Sequence, residues 1–441
     1  MGQAAIEDGP SWTVFQGGPA HPGTVVSETL PPPLRPLWRT APAPGGSSGP
    51  VIAGSLAVVT SRDAIVGVDV ETGATKWTSP RARGPLIPPA IDPTLKTSGV
   101  ALFAEGSRST DAAIAAVDLR THRRLWTTRA GPLGLGGPTI EGGTAFVGST
   151  AGAILAFDAL SGRRLWRVPT DGQVNSAPAV SDGRVFAVSE NRRNGNATLY
   201  AVRADGCGSP TCKPLWTFSP PGQAFGSSSP AVAGSTVYVA FGDAALRAID
   251  ASTGRVRWSG RVRGPLFSPR TAPAVAGASV YVLDAFSGLF RLDGRTGRRV
   301  WDYQFAPSAT SSAPIVALGR PSTVYVGLDD GTIAGIDAGS GHIRWKSSLG
   351  SGPAGPLAVG AAGGRPALLA SSEAARGGIS AFVPDPSGRL LDIESPTILK
   401  YVPALRNFAI AFVALMGVLL ALFRFLLSRR ASDAAPAEEV E

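Results

Sequence analysis

Residues 248–258 read AIDASTGRVRW, and the same order of residues returns along the chain. VDVETGATKW ends at Trp77, VDLRTHRRLW at Trp126, FDALSGRRLW at Trp166, LDGRTGRRVW at Trp301 and IDAGSGHIRW at Trp345. An Asp at the start of such a segment accepts backbone N–H bonds within a turn, and the Gly supplies the positive φ that closes a hairpin with a bulge. The Trp four residues past the Gly is then a large apolar plate on the strand that leaves the turn.

Working outward, a second ladder runs in step with the first. A Pro followed by a short apolar run recurs at Pro50, Pro89, Pro138, Pro178, Pro230, Pro273, Pro314 and Pro356, while Trp recurs at Trp38, Trp77, Trp126, Trp166, Trp216, Trp258, Trp301 and Trp345. Each Trp stands 11 to 15 residues before the next Pro. Between Pro and Trp lie four short apolar or alternating runs, read from SPAVAG, STVYVAFG, ALRAIDAS and TGRVRW in residues 229–258. A four-stranded unit of this size cannot bury both faces alone, so the units must stack, and antiparallel units stack radially as propeller blades. Seven units run complete from Pro to Trp. An eighth begins at Pro356 without a Trp, and Trp38 in RPLWRT has no unit before it. The N-terminal strand is therefore expected to complete the eighth blade and remove the sheet edges that an open array would expose.

Composition agrees. Gly 55 and Pro 38 in 441 residues make about a fifth of the chain, against roughly 12 % on average, which excludes a helical bundle; 44 % apolar residues exclude wholesale disorder. The net charge of +9 comes from Arg scattered over turns rather than clustered, so no nucleic-acid partner is expected.

On these motifs the chain resembles the eight-bladed propellers of the pyrroloquinoline quinone (PQQ) repeat type, whose docking segment A-x-D-x-x-T-G-x-x-x-W stands nearly complete at 248–258 and in AFDALSGRRLW. SWTVFQGGPAHPG, residues 11–23, is similar to the short signature that precedes the first blade in such proteins. The resemblance implies an all-β, eight-bladed propeller of four-stranded antiparallel blades over 35–384, with 35–40 completing the last blade after an N-terminal arm, 1–34. It divides between quinone dehydrogenases, which hold PQQ and usually Ca²⁺ on the axis, and non-catalytic propellers of the outer-membrane assembly type, which bind proteins. Two departures stand out: His122 occupies the place of a turn Gly, and VRADGCGSPTCKPLW enlarges the fourth hairpin.

The strand entries at the axis are mostly small: Ser47 and Ser48, Ile87, Gly136 and Gly137, Asn175 and Ser176, Ser227 to Ser229, Arg270 and Thr271, Ser311 and Ser312, and Ala354. A quinone with three carboxylates, its Ca²⁺ and a catalytic base would need Arg, Glu, Asn and Asp there, and only Asn175 and Arg270 qualify. No catalytic residue is assigned and no cofactor is expected, with PQQ and Ca²⁺ as the alternative. His21, His122, His342, Cys207 and Cys212 do not bring four ligands together, so no zinc site is expected. Cys207 and Cys212 are read as a disulfide across the enlarged hairpin, the alternative being two free thiols; a bond argues for an oxidising compartment.

Phe408 to Phe423 is an uninterrupted apolar run, long enough with Arg424-Phe-Leu-Leu to cross a bilayer core of about 30 Å. A transmembrane helix is expected over 406–428 after a linker, 385–405, and before a short polar tail, 429–441. Arg389, Lys400 and Arg406 precede the run and Arg424, Arg429 and Arg430 follow it, so charge leaves the orientation tied. Residues 1–10 carry no apolar core of a signal peptide. The expectation is a single-pass protein of the cell membrane, its propeller extracytoplasmic and its C-terminus inside, binding proteins or envelope polymers.

Overall fold

The computed structural model describes residues 12–25, 30–40, 46–95, 98–106, 112–222, 224–262, 271–284, 288–305, 312–350, 352–374 and 377–394. They form eight separate sheets, each built on four antiparallel strands. Blade 5 is typical, running Ala231–Ala233, Thr236–Phe241, Ala245–Asp250 and Val256–Arg261 from axis to rim. Inner strands meet in order around the ring, and the eighth, Ala354–Ala362, returns to the first, Val51–Ala53.

Blade 8 is built from both ends of the chain. Its outer strand is Leu34–Arg39, paired antiparallel with Ile379–Pro384 so that Trp38 lies opposite Ala381. The closure read from RPLWRT is observed, beginning one residue earlier. The helix expected over 406–428, the tail and the linker beyond Glu394 lie outside the described residues, among which no helix is long and apolar enough to cross a membrane.

The repeated segment explains how blades join. Asp250 Oδ1 accepts the N–H groups of Ser252 and Thr253 at 3.0 and 2.9 Å, and Asp69, Asp118, Asp158, Asp293 and Asp337 do the same in their turns. The Trp then reaches into the next blade. Trp258 Nε1 donates to Gly294 O at 2.9 Å and its ring lies against Gly297, where φ is +70° and an added Cβ would stand 2.4 Å from the indole. Trp38, Trp126, Trp166, Trp216 and Trp301 repeat the bond to Val70, Ala159, Ala204, Ala251 and Ala338. Trp345 meets an eighth blade whose last two strands come from opposite chain ends, and donates instead to Leu34 O at 2.7 Å. The leading Ala of the motif has a role too: Ala248 stands between Tyr238 and Trp258 in register, and its small side chain lets the two rings approach to 5.9 Å.

His122 changes the joint between blades 1 and 2. It takes φ +60° as the turn requires, and its ring stacks on Trp77 at 5.1 Å and 18°. Where six other joints have a bare Gly, a ring now lies over the indole. Trp77 sits instead on Gly67, whose added Cβ would be 2.2 Å from Nε1, and that buried N–H has no hydrogen-bond acceptor. The enlarged fourth hairpin is closed by the Cys207–Cys212 disulfide, Cα atoms 5.8 Å apart, and folds back on blade 3, where Arg167 N donates to Pro210 O and Cys212 N to Arg167 O.

Trp258→Ala should cost about 3–5 kcal/mol, as truncation of a buried aromatic does, and should shift one cooperative urea transition rather than split it. The two indole N–H groups should differ. Trp258→Phe loses a bond and strands the Gly294 carbonyl, whereas Trp77→Phe removes an orphaned donor, so the first should cost about 1 kcal/mol more. Equal losses would contradict the unequal joints. Deleting 34–39, which removes the closing strand, should abolish that cooperative transition.

Candidate functional site on the propeller axis

The strand entries place their side chains on the backbone of the neighbouring strand. Two residues before the recurring Pro, Ser48, Ser176, Ser228 and Ser312 each accept an N–H from the second strand of their blade, from Thr60, Val188, Ala240 and Gly327 at 2.8 to 3.1 Å. All four are buried. Their hydroxyls therefore hold strands together and have no adjacent base that would make them nucleophiles.

The axis itself is filled by the N-terminal arm, which passes round it in blade order. Ile52 and Ile91 of blades 1 and 2 donate their N–H groups to Trp12 O and Thr13 O, and Val180, Val232, Val275 and Val316 of blades 4 to 7 donate to Pro19, Ala20, Pro22 and Gly23 at 2.7 to 2.8 Å. Thr24–Val25 continues as a short parallel strand beside Ile315–Ala317. Each inner strand has one edge turned to the axis, and the arm satisfies these otherwise open donors. Phe15, 4 % exposed, packs among Ala177, Ala272 and Ala313, each the residue before the recurring Pro of its blade. A larger residue at any of these positions would exclude the ring.

Blade 3 is engaged through a side chain. His21 is fully buried, with Nε2 3.0 Å from Thr139 Oγ1 and Nδ1 3.3 Å from Pro230 O, its ring edge-on to Phe15. Burial lowers its pKa to about 3, the Pro230 carbonyl opposing only in part. It is a neutral wedge between blades 3 and 5.

Polar groups gather toward the end of the ring that carries the second-to-third-strand turns and the connections between blades. Arg81, 5 % exposed, donates to the carbonyls of Ser61, Ala104, Gly84 and Pro85, and burial brings its pKa down to about 10. Glu105 receives both Arg124 Nη atoms at 2.6 and 3.0 Å. Arg247 pairs with Asp243 and lies over Phe218 and Phe241. Between blades 3 and 4 a cleft of about 310 Å³ is lined by Asp171, Glu190, Asn191, Arg192 and Arg193. Asp171 there accepts from Ser189, Thr198 and Tyr200, and Glu190 from Ser227 at 2.9 Å. Burial raises the Glu190 pKa.

Of the two axial candidates, Asn175 turns its side chain to Glu190, a residue of this cleft, and its backbone carbonyl accepts the Gly136 N–H. Arg270 lies outside the described residues. The described groups on the axis are the Phe15 ring, methyl groups, prolines, hydroxyls bonded to backbone, the neutral His21 ring and the Gln16 amide, whose Nε2 donates to Pro314 O. They do not suit a tricarboxylate quinone, whose charges would need cations where Phe15 and alanines stand. Among the described residues no cluster of His, Cys, Asp and Glu could hold a metal ion. Sequence reasoning missed the arm because its bonds are main-chain ones, legible only as the Pro and Gly spacing of 11–23.

Eight four-stranded blades locked by Trp, with an arm threaded through the axis, define a PQQ-repeat propeller. A family model described as outer membrane protein assembly factor BamB matches residues 110–207 and 196–382, more than half of the chain. The chain belongs to this family. An assembly factor BamB of Nitrosomonas eutropha is 28 % identical over 159 residues, 35 % of this chain and 36 % of that relative. The matched stretch thus spans little more than a third of the relative's own length. Among solved structures, BamB from Moraxella catarrhalis superposes with TM-score 0.60 at 19 % identity, over 80 % of this chain and all of that one. A europium-containing methanol dehydrogenase does so with TM-score 0.70 at 13 % identity, over 86 % and 99 %. At such identities both likenesses show the fold alone.

The His21 wedge sets a pH dependence. Its pKa is near 6.5 unfolded and about 3 folded, so below 6.5 the unfolded chain takes the proton first and folding weakens as pH falls. Between pH 7.5 and 5 this should remove about 2 kcal/mol of stability. His21→Gln should abolish that part of the slope in urea titrations; an unchanged slope would place the proton elsewhere.

Proposed function

We propose that this protein is a membrane-anchored, non-catalytic propeller that binds proteins or envelope components through its loops and edges. The observation that carries the reading is the axis: where the enzymes of this fold hold a quinone, the chain's own Phe15 is packed among alanines and the arm is bonded to six inner strands. Membership of the assembly-factor family supports a protein partner. The apolar run within 406–428 would supply the anchor. The Cys207–Cys212 bond supports an extracytoplasmic ring, because cytosolic thiol pools would keep a small-loop disulfide reduced.

Adding PQQ and Ca²⁺ to the purified full-length chain in detergent should give neither stoichiometric uptake nor dye reduction with alcohols and sugars. Uptake with turnover would replace the binding reading with that of a quinone-dependent dehydrogenase. Crosslinking in native membranes should capture a protein partner. For topology, Cys207 and Cys212 should resist alkylation in protein isolated with thiols blocked, and impermeant protease on intact cells should digest the ring but spare a tag on Glu441. Free alkylation with loss of the tag would reverse the orientation.

A further inference from the structure

Two blades share one pattern before and at the outer Trp, a nitrogen-bearing side chain, a β-branched apolar residue, Arg and Trp: His342-Ile343-Arg344-Trp345 in blade 7 and Arg255-Val256-Arg257-Trp258 in blade 5. The strand register is also the same. Ile343 stands opposite Ile336 and Val256 opposite Ile249, each beside a bulge that turns the residue's N–H and C=O outward from the sheet. The surroundings differ. Ile343 is fully buried, whereas Val256 is 41 % exposed.

What buries Ile343 is a short extended segment, Leu391-Asp392-Ile393. Ile343 N donates to Ile393 O at 3.0 Å and Ile393 N to Ile343 O at 3.2 Å, and Leu391 N donates to Arg344 O at 2.9 Å, so the segment adds to blade 7 as an antiparallel edge strand. Its carboxylate is read by the two flanking side chains: Asp392 Oδ1 lies 2.9 Å from His342 Nδ1 and 2.8 Å from Arg344 Nη1. The order apolar, acid, apolar thus matches an edge that reads side-chain nitrogen donor, apolar, side-chain nitrogen donor. Main-chain bonds provide attachment and the alternate side chains provide selection.

We infer that the outer edge of blade 5 is a docking site for an extended segment of a partner protein with the order apolar, acidic, apolar, added antiparallel at Val256. This rests on the reading of the chain as a protein-binding module. Blade 5 is singled out because the position of Val256, two before the Trp, is Thr75, Arg124, Arg164 and Arg299 in blades 1, 2, 3 and 6. Charge selects the partner's chemistry. Arg257 keeps Asp250 at 2.6 Å, while the exposed Arg255 has no ion-pair partner among the described residues and stands where His342 meets Asp392. The partner's carboxylate answers to Arg255.

The chain's own segment serves as the probe: a fluorescent peptide of residues 389–394, RLLDIE, titrated by anisotropy into the full-length protein in detergent. Saturable one-to-one binding is expected. The peptide carrying Asp392→Lys and the protein carrying Arg255→Glu should each bind about tenfold more weakly or worse. Val256→Pro, which removes one outward N–H at an edge that tolerates Pro, should abolish binding while leaving the thermal transition in place; should that variant unfold, slowed hydrogen exchange of the Val256 amide on peptide addition replaces it. Val300→Ser on blade 6 should bind as wild type. No binding, or binding unaffected by Arg255→Glu and Val256→Pro, overturns the assignment, the second outcome meaning that the probe has displaced the segment on blade 7. A concentration-dependent dimer lost when Leu391 and Ile393 become Ser would give the edge to a second copy and also overturn it. Partner crosslinks that persist in Val256→Pro would sink this edge and leave the protein-binding reading standing; no crosslinks even in wild type would sink that reading.

Discussion

The indole N–H that seven of the eight outer Trp donate to a carbonyl of the next blade is the constraint on which the ring depends. A blade has no hydrophobic core of its own, and its two faces are buried only when a neighbour lies on each side. The Trp makes that contact specific in both angle and register. It goes with a Gly beneath the ring in the next turn at six joints, with a small Ala or Gly beside it in its own sheet in every blade but the sixth, where Arg291 stands opposite Trp301, and with an Asp that holds the turn presenting the carbonyl. Three otherwise separate features of the repeat thus gather around one bond. Where one partner changes, as at His122, the joint persists through ring stacking but leaves Trp77 with a buried, unpaired N–H.

Radial stacking creates a second problem, at the centre. Eight inner strands present their edges to one axis, and unpaired N–H groups there are costly if shielded from water. The arm resolves this by following the blades in order and accepting a bond from most of them. In doing so it places Phe15 and His21 where a ligand would otherwise enter. The same solution recurs at the rim, where Leu391-Asp392-Ile393 covers blade 7 and the disulfide-closed loop covers blade 3. In this protein open strand edges are met by extended chain at the centre and at parts of the rim, so function is to be sought at an edge that remains open.

Legibility in the sequence followed periodicity. The spacing of Trp and Pro decided blade number, strand number and closure by RPLWRT, because each of these depends on side chains that repeat at a fixed interval. The role of His122 at positive φ was equally readable, since a non-Gly residue in a Gly position declares its own backbone. The arm was not readable as a plug. Its partners are main-chain groups, which every residue carries, and its contacts lie as far as 298 residues away, as between Gln16 and Pro314. Asn175 was read only as a strand-entry residue; which way its side chain turns depends on Glu190 in the second strand of the same blade.

What the sequence by itself determined is therefore the ring: its class, its eight blades, its Trp joints and its closing strand, all fixed by the repetition of large and small side chains. Only the tertiary structure decided what the ring leaves available. It filled the axis with Phe15, turned the serines of the strand entries onto backbone, covered Ile343 and left Val256 open, although the two stand at the same place in the same sequence pattern. Exposure is a property of what comes to lie alongside a residue, and the segment that distinguishes these two arrives from some fifty residues further along the chain.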